Sequence, residues 1–270
     1  MGLLNLRARQ LKLGPIGMSM DHSEIARSGI ANEQWVANLL THGGSECLTS
    51  FAMHLGWDPT IHKDFSAFRI GGSTKADICF QKFFYTNKFP DQEMISCKRL
   101  MAEDHNGFGH IHKSTIASYR KKWGFDDIVE RCLNVYCGNL IVEGKQKGLY
   151  FEDKFFEPYH EYIKFFFRAN YEKVFNDLFK GTDPNTAPNH FAITAVNEES
   201  KHLFVAPIDV VVKYAMGDNT VYFGKKDKNQ NLCLGNITMY SKRSTGQLQF
   251  KMNYKPMLKE LGHKFRIFHF

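Results

Sequence analysis

Two short apolar segments that alternate like strands, each interrupted by charge, constrain this chain more than any other feature. The first, GGSTKADICFQKFF, carries Asp77, and the second, MISCKRL, carries Ser96 and Lys98. About ten polar or turn-forming residues (TNKFPDQE and neighbours) separate them, which predicts adjacent strands of a hairpin. Side chains two apart on a strand share a face, so Ser96 and Lys98 point the same way. If Asp77 joins them, a carboxylate and an ammonium meet at one edge of a sheet. A hard divalent cation wants the carboxylate oxygen, and a lysine beside it can orient or deprotonate a water. That is the arrangement of metal-dependent phosphodiester cleavage. By pattern alone, Asp-x18-Ser-x-Lys is more often coincidence than chemistry. What weighs against coincidence is that ADICF and MISCK otherwise read as buried, and charges are rarely buried unless paired or metal-bound.

The 270 residues can bury one substantial core, as one large domain or a domain with an appendage. Hydrophobic residues make up 43% of the chain, yet no run of about 18 apolar residues occurs, so no transmembrane helix is expected. The first ten residues, MGLLNLRARQ, lack a signal-peptide core, and Leu6 stands where a myristoylation site wants Ser or Thr. Six cysteines are scattered without a CxxC pair, which favours reduced thiols and a cytoplasmic protein. The net charge is +7, but its distribution says more than its size. From Lys225 onward ten Lys and Arg face only Asp227 and Glu260, a local balance of +8. Such a block suits a polyanion-facing surface, with a solvated lysine-rich face as the plainer alternative.

Periodicity predicts a helix over NEQWVANLLTH (32–42), a loop region bearing Gly56, Pro59, Gly71 and Gly72, then the two strands. A polar glycine-bearing loop follows at 103–109, then helices over HIHKSTIASYRKKW and DDIVERCLNVY, the second capped by Asp126. Aromatic spacing over 155–180 predicts one amphipathic helix. HFAITAV (190–196) reads as a strand, PIDVVVKYAM as a helix, and TVYF, NITMY and QLQFKMN as strands. Strands interleaved with helices point to an α/β or α+β layered domain around one mixed sheet.

Three further places carry candidate chemistry. Glu33 reads either as a surface acid in a first helical turn, favoured by the macrodipole, or as an acid leaning over the sheet. In GFGHIHK (107–113), His110-x-His112 lacks a third and fourth ligand at zinc spacing. Its glycines instead allow close approach to a phosphate backbone beside Lys113, with a plain loop equally open. In the tail, Leu248, Phe250 and Met252 alternate with Gln247, Gln249, Lys251 and Asn253. Amide and ammonium groups on such a face suit adenine and guanine edges in the major groove. Lys242 and Arg243 lie nearby if Ser244-Thr245-Gly246 turns a hairpin.

Together these residues resemble the HinPI type of type II restriction endonuclease, with MspI-like features. The similarity runs from about residue 28 to 139 and again from about 233 to 261. Its strongest block, GFGHIHKSTIASYRKKWGFDD, is similar to a family pattern GFxxIxK…Y…WxFDD without a gap. GIANEQ resembles the family's first helix, KADICFQ its metal-binding strand, and GNITMYSKRS…LQFKMN its DNA-contacting hairpin, while GGSTKAD is similar to MspI. Residues 140–232 match only loosely.

The resemblance implies an α/β fold with a PD-(D/E)xK core, a mixed central β-sheet flanked by helices. It implies one domain over 1–270, with its core at about 28–200 and a basic DNA-contacting portion at about 220–262. It also implies Mg2+-dependent cleavage of double-stranded DNA at a short palindrome, with four CG-containing base pairs the best match. Asp77 would be the metal-ligating carboxylate, Lys98 the residue governing the attacking water, and the Cys97 carbonyl part of the metal shell. Glu33 would help hold a metal, directly or through water. Ser96 fills the place where most of the superfamily has Glu or Asp, and where these two enzymes have Gln and Asn. A hydroxyl is a poorer metal ligand, which raises the importance of Glu33. His110 and Lys113 fall where family members contact DNA, after a loop two residues longer than in the HinPI type. Lys242, Arg243, Gln249 and Lys251 fall in the DNA-contacting hairpin. A cognate DNA methyltransferase is the expected genetic partner, a homodimer is left open, and no membrane is involved. Two alternatives stand beside this reading. One is a structure-specific PD-(D/E)xK nuclease of repair or recombination. The other is a non-catalytic DNA-binding protein on a degenerate nuclease fold, kept alive by Ser96.

Overall fold

The predicted hairpin forms: β2 (Ile78–Lys82) runs antiparallel to β3 (Asp91–Leu100), with Ile78 opposite Ile95 and Lys82 opposite Asp91. The structure, a computed structural model, describes residues 22–42, 45–58, 65–70, 75–82, 91–100, 108–196, 201–226 and 229–269. Residues 83–90 of the connection, Gly71 and Gly72, and most of the expected 103–109 loop lie outside the described residues. The chain divides into two compact units. One comprises residues 1–107, 180–211 and 254–270, the other residues 108–179 and 212–253.

The first unit holds the hairpin in a mixed six-stranded sheet. β1 (Phe65–Arg69) pairs antiparallel with β2, and β5 (His190–Val196) pairs in parallel with β3. Beyond β5 come β6 (Lys201–Pro207) and β11 (Arg266–His269), giving the order β1-β2-β3-β5-β6-β11. α1 (His22–His42) and α2 (Ser45–His54) cover one face. Val36, Ala37 and Leu40 recur at helical spacing and pack with Phe51 against Ile78, Phe80, Ile95, Cys97, Ala192 and Val205. Burying each large side chain here contributes about 1.5–3 kcal/mol. Trp57 stacks on Phe80 at 5.2 Å between ring centres. The buried Lys82 is matched by Asp91 at 3.2 Å and by the Trp57 face at 4.6 Å, so its charge is not stranded. On the opposite face Phe191 meets Tyr254, the first residue of α8 (Tyr254–Leu261), at 5.9 Å.

The second unit is an antiparallel five-stranded sheet of order β4-β10-β9-β8-β7, where one mixed sheet was expected for the whole chain. Its strands are β4 (Phe108–Thr115), β7 (Val221–Lys226), β8 (Asn229–Leu234), β9 (Ile237–Lys242) and β10 (Gln247–Asn253). Residues 110–115, expected as the start of a helix, are strand. They hydrogen-bond to β10, with Gln249 opposite Lys113 and Lys251 opposite His110, and this pairing outweighs local helix tendency. The helix begins only where the Thr115 hydroxyl accepts the Ser118 N–H at 3.2 Å, giving α3 (Ile116–Trp123). Asp126 caps α4 (Asp127–Cys137) as expected, accepting the N–H groups of Ile128 and Val129. The single helix expected over 155–180 is two, α5 (His160–Ala169) and α6 (Tyr171–Phe179). Asn170 ends the first, its side-chain amide donating to the Phe166 carbonyl at 3.0 Å. Trp123 stacks on Tyr119 and meets Phe250 edge-on, while its Nε1 donates to the buried Asp177, which also pairs with Lys122. Gly246 closes the β9–β10 hairpin at φ +62°, where a Cβ would lie 1.9 Å from Asn139 Oδ1. Only glycine fits that turn. The remaining helix is α7 (Ile208–Met216), directly after Pro207.

Candidate active site and nucleic-acid interface

Asp77 is the residue before β2. Its N–H donates to Ile95 O, and its carbonyl accepts from Ile70 N, both at 2.9 Å, so its backbone is tied to both neighbouring strands. β3 runs on past the start of β2, which begins opposite Ile95. The Cys97 N–H therefore meets the Asp77 carboxylate instead of a strand carbonyl, donating to Oδ2 at 2.6 Å. The same oxygen accepts from Ser96 Oγ at 3.2 Å and lies 3.4 Å from Lys98 Nζ. Thus Asp77, Ser96 and Lys98 do converge, on the sheet face opposite α1. The Asp77 and Lys98 side chains keep 20% and 22% of their surface open, whereas Ser96 is buried. Burial pushes the Cys97 thiol far above its ordinary range, with Asp77 adding, Lys98 opposing and Glu33 adding. Cys97 is therefore present as a neutral thiol, and its usable groups are its backbone atoms. Burial, assisted by Asp77, likewise holds the Tyr254 phenol protonated.

Every hydrogen bond described for the Asp77 carboxylate falls on Oδ2. The carboxylate keeps part of its surface open, so a further ligand can approach it. Among the described residues no three His, Cys, Asp or Glu gather into a protein cage. A partly open carboxylate fits a hard divalent cation, which takes oxygen ligands and completes its shell with waters and phosphate oxygens. It does not match a soft-ligand zinc centre.

Glu33 lies well inside α1, which starts at His22, so it is not a first-turn residue. Its Oε2 accepts from Arg69 Nε at 2.6 Å, at the end of β1. No described contact joins Glu33 to Asp77 or Lys98, and its link to them is the field it exerts at Cys97. Next to it, Asn32 is buried and accepts the Thr194 hydroxyl at 2.5 Å, and that hydroxyl also lies 3.3 Å from the Lys98 carbonyl. Sequence reasoning missed Arg69, Asn32 and Thr194. The usable signal was a lone hydroxyl inside the apolar strand HFAITAV.

In the second unit, residues opposite one another across antiparallel strands share a face. Gln249 is opposite both Lys113 and Tyr240, Lys251 is opposite His110, and Gln247 is opposite Lys242. His110, Lys113, Lys242, Gln249 and Lys251 therefore lie on one face, while Leu248, Phe250 and Met252 are fully buried on the other. Lys251 Nζ sits 5.1 Å over the Tyr240 ring, placing an unforeseen aromatic in the patch. Arg243 departs from the group. Its guanidinium lies 3.8 Å over Tyr150, and it packs on Gly148, where a Cβ would fall 2.7 Å from Nε. His112 turns inward, 2.7 Å from the Tyr119 hydroxyl. His110 and Lys113, expected on a loop, stand on a strand.

A family model for the R.HinP1I restriction endonuclease matches residues 55–257, about three quarters of the chain. The match takes in both strands of the Asp77–Lys98 pair and the whole second sheet. The chain belongs to the R.HinP1I restriction endonuclease family. It is therefore a nuclease of the restriction class, and its helix-flanked mixed sheet is the PD-(D/E)xK-like fold expected of a R.HinP1I family member. No curated protein matches the chain. Glu33 and α1 precede the matched stretch. None of its described helices is long and apolar enough to cross a membrane.

Proposed function

We propose that the protein is a type II restriction endonuclease that cleaves double-stranded DNA at a short palindrome with Mg2+. The observation that carries this reading is the gathering of Ser96 Oγ, Cys97 N–H and Lys98 Nζ on one oxygen of Asp77. Asp77 Oδ1 and the Cys97 carbonyl would hold the cation, with Glu33, carried by the helix on the other face of the sheet, contributing through water. When bound, the cation offsets charge on the phosphate oxygens and favours ionisation of water. The Cys97 N–H and the Ser96 hydroxyl keep the Asp77 carboxylate turned to one orientation. Ser96 thus acts through Asp77, in place of the second carboxylate common in such sites. Lys98 orients the attacking water, which gives up its proton to solvent as its oxygen attacks. A bond forms from the water oxygen to phosphorus and the bond to the 3′-oxygen breaks. The leaving oxygen takes up a proton, and the ends carry 5′-phosphate and 3′-hydroxyl.

The face bearing His110, Lys113, Lys242, Gln249 and Lys251 supplies ammonium and imidazole donors suited to DNA, with the buried Gln249 amide set between them. Arg243 supports this face from Tyr150 rather than as a free contact. Lys251→Ala is expected to weaken binding to the recognition site by about 1–3 kcal/mol, with much less effect on unrelated DNA. A fluorescence-anisotropy titration against both duplexes decides; equal loss on each would make Lys251 a phosphate contact.

Incubation with phage DNA and Mg2+ tests the function directly. Discrete bands are expected. Cutting confined to branched or flapped substrates would instead make the protein a repair or recombination nuclease. Salt-sensitive binding without nicking would leave only a DNA-binding protein. Sequencing the ends gives the site, for which four CG-containing base pairs are the expectation, together with the stagger. A cytoplasmic location beside a cognate DNA methyltransferase accompanies this reading, and a homodimer would match a palindromic site.

A further inference from the structure

We infer that the buried Thr194–Asn32 hydrogen bond is a positioning device for cleavage, seating the helix that carries Glu33 on the strands that carry Lys98. The inference rests on the nuclease reading above. Thr194 has no exposed surface and Asn32 has 9%. The Thr194 hydroxyl faces two oxygens, Asn32 Oδ1 at 2.5 Å and the Lys98 carbonyl at 3.3 Å, and the shorter contact takes the larger share of its one proton. Three elements meet at that hydroxyl: α1 through Asn32, β3 through the Lys98 peptide, and β5 through Thr194 itself.

The apolar contacts of Val36, Ala37 and Leu40 hold α1 to the sheet without fixing where along it the helix rests, because apolar burial has no direction. A slip of one residue would turn Glu33 by about 100° around the helix axis and move it by about 1.5 Å. A hydrogen bond between two buried polar groups forbids that slip, since either group left unpaired costs about 1–3 kcal/mol. Glu33, the next residue, is held by Arg69 on β1 at 2.6 Å. Two successive helix residues are thus pinned to two different strands. The bridge also acts on the Lys98 peptide itself, from which the ammonium projects toward Asp77. Thr194 and Asn32 are positioning residues and touch neither DNA nor metal in this scheme.

The test compares wild type with Thr194→Val, which keeps the volume and removes the hydroxyl, and with Thr194→Ser, which keeps the hydroxyl. In Mg2+ titrations with saturating plasmid, Thr194→Val is expected to lower the cleavage rate on the order of 10- to 100-fold. The Mg2+ concentration giving half the maximal rate should rise, while DNA affinity stays at the wild-type value. Thr194→Ser should restore both rate and midpoint. A Thr194→Val protein with a lower melting temperature but a wild-type rate per folded molecule and an unchanged Mg2+ midpoint would overturn the inference. If Thr194→Val does not fold, Thr194→Cys, a weak donor of similar size, is read by the same two quantities. A wild-type protein that never nicks DNA in Mg2+ overturns the nuclease reading and this inference with it, an outcome distinct from wild type and variant cutting alike.

Discussion

Lys98→Ala is expected to reduce plasmid cleavage on the order of 10³-fold or more, with DNA binding largely intact. The ammonium lies 3.4 Å from Oδ2 of the Asp77 carboxylate. Of the groups bonded to that oxygen, Ser96 is buried and already donates to the carboxylate, which leaves the ammonium to orient a water. The pair is partly open to solvent on both sides, so its contribution to folding is small, and the melting temperature should barely move. A supercoiled-plasmid nicking assay beside a gel-shift measurement separates chemistry from binding. Near wild-type cleavage by the variant would remove Lys98 from the mechanism. A protein that neither binds nor melts cooperatively would show that the substitution had damaged the fold.

Asp77→Ala is expected to lose cleavage to a similar extent, because several kcal/mol of charge stabilisation at the phosphate corresponds to about 10³-fold in rate. Here the fold should suffer as well. The Cys97 N–H, 2.6 Å from Oδ2, and the Ser96 hydroxyl both lose their acceptor in a place with little water. A buried donor left unsatisfied costs about 1–3 kcal/mol, so Asp77→Ala should melt measurably earlier than Lys98→Ala. Asp77→Asn divides the two effects. Its amide oxygen can still accept from Cys97, so stability should largely return, while the cation loses its charged ligand. Plotting rate against Mg2+ for both variants is decisive. A titration curve unchanged from wild type in either one would mean that Asp77 does not hold the metal.

The candidate site was legible to different depths in different places. Asp77, Ser96 and Lys98 stood out because each interrupts an apolar run, and a buried charge needs a partner. Glu33 was found as a residue, but its position was misjudged. The helix extends ten residues further toward the N-terminus than its apolar spacing suggested, starting at His22 and not at 32. Its partner Arg69 belongs to a strand that glycines and a proline had made look like loop. The tail was read well as an alternating strand, since Leu248, Phe250 and Met252 are buried and the residues between them share the opposite face. Arg243, one step past the end of β9, lies beside the hairpin as expected but turns toward Tyr150 for a local reason. Beyond the last strand residue the two-residue period no longer governs direction, and Tyr150 with the space left by Gly148 draws the guanidinium away.

Alone, the amino-acid order determined which faces exist. Alternation with period two assigned the inward and outward residues of β3 and β10, and the Asp126 oxygen predicted where α4 begins. It did so because those choices depend on neighbours a few positions away. Only the tertiary structure decided which distant segments meet. His110 to Thr115 became strand because β10, more than a hundred residues later, offers them a hydrogen-bonding edge. Thr194 became a bridge because Asn32, 162 residues earlier, arrives at its hydroxyl. A local pattern encodes the direction a side chain takes from its own backbone. The partner waiting there depends on how remote elements share one core, which no short window of sequence contains.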